Sequence, residues 1–176
     1  MGFGEAISTC FRKYVTFSGR ARRSEYWYFY LFTILAGLVA GILDAIVGGA
    51  AGTTNSFSNT SGPFAAILNL VLLLPSISVT VRRLHDTNHS GWLFGGFFIY
   101  IVVAIAGGVG AGMAGAFGSA GGSGTPNVPA LLLVGALVLI GLAYAVYIFV
   151  LMVWNGDAGE NKYGADPKGP NVEVFS

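Results

Sequence analysis

Arg82-Arg83-Leu84-His85-Asp86-Thr87-Asn88-His89-Ser90-Gly91-Trp92 is a charge-dense stretch between two long apolar blocks. It is too short for anything but a tight connection between two membrane spans. Working outward, span-length apolar runs are read at 26–47, 64–81, 92–117 and 130–154, with uncharged linkers rich in Gly and small polar residues between the first pair and the last pair. The 22-residue first run reaches ~33 Å as a helix, enough to cross the hydrocarbon. The composition agrees. Charged residues are 10% of 176, hydrophobic residues 54%, and mean hydropathy is +0.69. A soluble chain this poor in charge could not cover its surface. Cys10 is the single cysteine, so no intrachain disulfide is possible. No secretory signal is expected, because the first apolar run starts near Tyr26 and is of span length.

Orientation follows from the basic residues. Arg12, Lys13, Arg20, Arg22 and Arg23 precede the first span, Arg82 and Arg83 follow the second, and Lys162 and Lys168 follow the fourth. With four spans all nine fall on one side, which the positive-inside rule makes cytoplasmic, with both termini there. Trp27, Trp92 and Trp154 fall at the same boundary, where indole rings settle. Between Phe3 and Val15 the apolar residues recur at helical spacing. That pattern suits either an amphipathic helix in the interface or a helix packed on the cytoplasmic end of the spans.

Three segments on that face carry a resemblance. Phe17–Trp27 reads F-S-G-R-A-R-R-S-E-Y-W, Arg82–Trp92 reads R-R-L-H-D-T-N-H-S-G-W, and Gly156–Pro167 reads G-D-A-G-E-N-K-Y-G-A-D-P. In motif, order and spacing the chain resembles the bacterial inner-membrane family called domain of unknown function 805, the YhaH-like proteins, over nearly its whole length. The resemblance implies a small multi-pass inner-membrane protein and supplies no catalytic residues. His89 stands where a basic Arg or Lys is usual, and the Gly-rich linkers at 48–63 and 106–125 look specific to this chain.

The expected fold is all-α: one domain, 1–176, forming a four-helix transmembrane bundle with an N-terminal amphipathic interfacial helix and a cytoplasmic cap of the three motifs. The cap gathers Arg20, Arg22, Arg23, Arg82 and Arg83 with Glu25, Asp86, Asp157, Glu160 and Asp166, and His85, Asn161 and Tyr163 share it. Charges at a membrane boundary are costly unless paired or hydrated, and the planar Arg fork suits carboxylates, so a mutual staple is one reading. The other is an anion site, in which arginines near Trp27 and Trp92 hold a lipid headgroup. A staple engages its arginines internally, whereas a site leaves one facing a cavity.

Other chemistry finds little footing. His85, Asp86 and His89 give H-D-x-x-H, close to the zinc helix motif, but a loop of this length offers little helix and no further ligands gather, so no metal or other cofactor is expected. Ser90 beside Gly91 reads as turn chemistry rather than a nucleophile, and Gly107 to Gly112 lacks the lysine of a phosphate loop. Within the membrane, Asp44 shares a helical face with Gly37, Gly41 and Gly48, and is expected to approach Asn69 as a polar pair or cation site. Pro75 frees the carbonyl of Val71 and should kink its span, with Ser76, Ser78 and Thr80 nearby to satisfy backbone groups. The expected function is therefore a non-enzymatic membrane module that binds anionic lipid or a partner protein through its arginine face. The alternative is a small transporter or channel using Asp44 and Asn69. A homo-oligomer or membrane-protein partner fits either reading, and no nucleic-acid partner is expected.

Overall fold

The computed structural model describes residues 1–50, 62–113 and 127–168. Five helices are present and, among the described residues, no strand: α1 (Phe3–Arg12), α2 (Arg23–Ala50), α3 (Pro63–Asp86), α4 (Trp92–Met113) and α5 (Val128–Val153). The last four are long and apolar enough to cross a membrane. Residues 51–61 and 114–126, which hold most of both Gly-rich linkers and the end of the expected third span, lie outside the described residues. The chain divides into two compact units, Met1–His89 with Asn155–Ser176, and Ser90–Trp154.

In the first unit α2 starts at Arg23, three residues before the expected span, and α3 ends at Asp86, five residues beyond Val81. Half of the charged stretch between spans is thus helix rather than loop. Polar side chains with partners let the helix outlast its apolar run. The α2–α3 seam buries Phe29, Leu72 and Val79, with Phe32, Ala36 and Leu68 packed against them. Gly37 and Gly41 of α2 have open space around them, and the small residues at the seam are Ala36 and Ala40. The face expected to meet a helix closely is therefore displaced by one residue, because the alanines sit nearer the large side chains of α3.

α1 closes against this pair, burying Ala6 and Cys10 and setting Phe11 edge-on to Phe29 and Phe32. Its first turn is capped by Glu5, whose carboxylate accepts the Gly2 N–H at 3.0 Å. Beyond its end, the Tyr14 hydroxyl donates to the Val71 carbonyl, the group that Pro75 deprives of its helical donor. The Ser78 hydroxyl reaches the carbonyls of Thr16 at 2.6 Å and Lys13 at 2.9 Å. α3 runs unbroken through Pro75.

The second unit is an antiparallel pair, α4 on α5. The Tyr144 hydroxyl donates to the Leu93 carbonyl at 2.7 Å, and Tyr100 donates to the Leu137 carbonyl. Phe97 packs edge-on against Tyr144. Trp92 opens α4 and Trp154 follows α5, both largely exposed and toward one end of the pair.

Candidate functional site

The C-terminal end of a helix leaves carbonyls without donors. At the end of α3 those carbonyls are taken by all three motif segments of the sequence. Ala21 N–H donates to the Arg82 carbonyl at 3.0 Å and Asp157 N–H to the Asp86 carbonyl at 2.8 Å. Asn161 Nδ2 donates to the His85 carbonyl at 2.9 Å, and the Thr87 and His89 N–H groups share the Leu84 carbonyl. The last turn also carries Arg83 and His85. The Arg83 guanidinium there suits the negative end of the helix dipole.

The arginines lock this arrangement from within. Arg20 is buried, its Nε 3.0 Å and its Nη2 2.9 Å from Asp86 Oδ1. The same guanidinium donates to the carbonyls of Asp157 and Gly159, each at 2.5 Å. Arg83 donates to the other oxygen of Asp86 from one turn earlier on α3. Asp86 therefore balances two buried cations, one from its own helix and one from the segment before α2. Arg82 pairs with Glu25 at 2.5 Å, both buried. Its Nε and Nη2 are buried without a hydrogen-bond partner among the described residues. Cys10 lies on the same carboxylate, Sγ to Glu25 Oε1 3.9 Å. Burial above all, with the charge of Glu25 adding to it, pushes this thiol up to about 12, so it stays protonated as a weak donor.

The outer arginines are half-buried. Arg22 Nε donates to the Pro167 carbonyl, and Arg23 Nη1 to Asn155 Oδ1 at 2.7 Å. His85 stacks parallel on Tyr163 with ring centroids 3.9 Å apart, and its Nδ1 lies 3.2 Å from the Gly19 carbonyl. Lys162 stands 5.0 Å over the Tyr163 ring. Asp166 folds the tail by accepting the N–H groups of Lys168 at 2.8 Å and Gly159 at 3.2 Å. Those two bonds, in that order, hold its carboxyl below the usual range.

Several expectations are corrected. The five carboxylates do not each meet an arginine. Asp157 and Glu160 have exposed side chains, and Asp157 meets Arg20 through its backbone carbonyl. Turn carbonyls reach the buried guanidinium while the carboxylates remain hydrated, which avoids their desolvation. The segment carrying His85 and His89, read as loop, is helical through Asp86, and His85 turns to the Gly19 carbonyl while His89 Nδ1 lies 2.6 Å from the Thr87 carbonyl. Trp27 packs edge-on against Tyr26 and Tyr30, and Trp92 is 80% exposed.

Asp44 also differs from its expected pairing. Its carboxylate accepts the N–H groups of Phe64 at 3.0 Å and Ala65 at 2.9 Å, capping α3 from the neighbouring helix, while Asn69 is exposed. Gly62 offers no side-chain cap, and free N–H groups at a helix start attract an anion. Gly62 is also needed for room, since a Cβ there would lie 2.2 Å from Asp44 Cγ.

Sequence reasoning missed the parts of Ala21, Gly156, Tyr14 and Cys10. Gly156 opens the third motif, and a Cβ on it would lie 1.9 Å from Asp86 Oδ2. That glycine was the available signal. Ala21 acts through its backbone and left none.

Comparison with known proteins adds the family. The chain is 40% identical over 81 residues to "Inner membrane protein YhaH" of Escherichia coli strain K12, covering 46% of this chain and 62% of that protein. Over the same length it is 37% identical to "Inner membrane protein YhaI" of that organism, covering 59% of it. The match thus spans less than two thirds of either relative. No solved structure matches. A family model described as a protein of unknown function matches residues 14–165, a range that contains the first two motif segments and all of the third but Asp166 and Pro167, so the chain belongs to the DUF805 family.

Proposed function

We propose that this is a non-enzymatic inner-membrane module with four spans and both termini cytoplasmic, whose buried arginines form a structural latch and whose outer cations meet anionic lipid headgroups. The observation that carries the reading is the engagement of Arg20, Arg82 and Arg83. All three are buried, and their partners are Asp86, Glu25 and the carbonyls of the tail. Breaking such a pair costs about 3–5 kcal/mol. These residues therefore answer to stability first, which leaves the half-buried Arg22 and Arg23 as the cations at the rim.

Localisation and orientation rest on the names of the two relatives and on the basic residues, which lie before α2, at the end of α3 and in the tail. The transport reading is weakened by Asp44, whose carboxylate is occupied as a helix cap away from Asn69.

The test is thermal unfolding in detergent with added phosphatidylglycerol or phosphatidylcholine. The anionic lipid is expected to raise the wild-type Tm more than the zwitterionic one, and the Arg22→Gln/Arg23→Gln variant to show a smaller difference. Equal shifts from the two lipids in the wild type would remove the headgroup reading and turn attention to a protein partner.

A further inference from the structure

A groove of about 590 Å³ runs along one side of the α2–α3 seam, and its lining is almost wholly apolar. Ala36 and Ala40 form its floor, where larger residues would fill it, and Val39 and Ile67 stand on its two sides. Along α2 it extends from Phe32 to Leu43, roughly 16 Å at 1.5 Å per residue and about half of a bilayer's hydrocarbon thickness. Its volume is that of a cavity able to hold a ligand.

Both ends are defined. At one, Asp44 ties α2 to the first turn of α3, just past Leu43 and beside Phe64. At the other, Phe3 of α1 forms part of the wall. The same short helix ends in Arg12, followed by Lys13; both side chains are exposed, and no carboxylate among the described residues pairs with either. The segment that carries them crosses α3 at this end, where Tyr14 holds the carbonyl of Val71, another wall residue, and Ser78 binds the Lys13 carbonyl. Ser78 lies two turns, about 10 Å, nearer the charged end of α3 than Val71. An apolar slot in the span thus lies below two unpaired cations at the level of the polar boundary.

We propose that this groove holds one acyl chain of an anionic phospholipid whose headgroup is met by Arg12 and Lys13. Groove and cations match the two halves of such a lipid, and a helix from a second copy would satisfy the groove alone. The proposal does not rest on the latch or on Arg22 and Arg23, which bond Pro167 and Asn155 of the tail.

The test is native mass spectrometry of the full chain extracted from vesicles of equimolar phosphatidylglycerol and phosphatidylcholine. One phosphatidylglycerol is expected to remain on the wild type. It is expected to be lost from Ala36→Leu, which raises the floor, and from Val39→Trp, which fills the groove from its exposed side and so serves where Ala36→Leu disturbs the seam. Arg12→Gln/Lys13→Gln is expected to lose the preference for phosphatidylglycerol, and Arg22→Gln/Arg23→Gln to keep it. Retention of the lipid by a folded Val39→Trp, or a wild type that carries none, would overturn the proposal. So would a dimer that Val39→Trp dissociates, since the occupant would then be a second copy.

Discussion

Asp86 bonds Arg20 with one oxygen and Arg83 with the other, and its carbonyl accepts the Asp157 N–H. Gly156 packs against the same carboxylate, which cannot swing away without releasing two buried arginines. Gly156→Ala is therefore expected to destabilise the fold by about 1–3 kcal/mol or more, the range for overpacking a tight site. Chemical unfolding in detergent would read it, with Gly108→Ala, at an open position inside α4, as a control expected not to destabilise. Asp166 supplies a pH prediction. Its folded pKa is lowered by the Lys168 and Gly159 N–H bonds. Its contribution is thus complete above the ordinary value of 3.8 and is lost as pH falls through the lowered one. Amide exchange at Gly159 and Lys168, corrected for intrinsic rates, should accelerate over that acid window, and in Asp166→Asn the transition should be absent. The identities of these residues were plain in the sequence. Their pairing was not, because a guanidinium satisfied by backbone carbonyls leaves no complementary residue type to notice.

α3 is the element whose faults the rest of the first unit repairs. Its start has no cap of its own and borrows Asp44, its middle loses a hydrogen bond to Pro75 and borrows Tyr14, and its end borrows the backbone of residues 21 and 157 and the side chain of Asn161. Pro75 supports a specific cycle. Tyr14→Phe should leave the Val71 carbonyl unsatisfied and cost about 1–3 kcal/mol. In a Pro75→Ala background the helix supplies its own donor, so the same change should cost much less. Equal costs in both backgrounds, measured by unfolding of the four proteins, would show that Tyr14 serves some other contact. At this scale the sequence is readable where rules are local. The orphan carbonyl at Val71 follows from proline chemistry alone, whereas its partner, 57 residues away, does not. The end of α3 was placed too early for a related reason. Apolar periodicity stops at Val81, and only the tertiary partners of Arg82, Arg83 and Asp86 carry the helix five residues further.

For the whole molecule, composition and the length of the apolar runs made the all-α class, with four helices long and apolar enough to span a membrane, legible from the start, since lipid as solvent leaves few alternatives. The cap was legible as a gathering of motifs. Its central feature, the C-terminal turn of α3 as the hub on which the N-terminal segment and the tail converge, needed coordinates. If the latch holds, the tail belongs to the fold despite its polar, glycine-containing sequence. Hydrogen exchange of residues 155–168 in the wild type and in Arg20→Gln tests this most directly. Protection in the wild type that is lost in the variant, with α4 and α5 unchanged, is the expected result. A tail that exchanges at the unfolded rate in the wild type would contradict the latch, and with it the structural role given to the buried arginines.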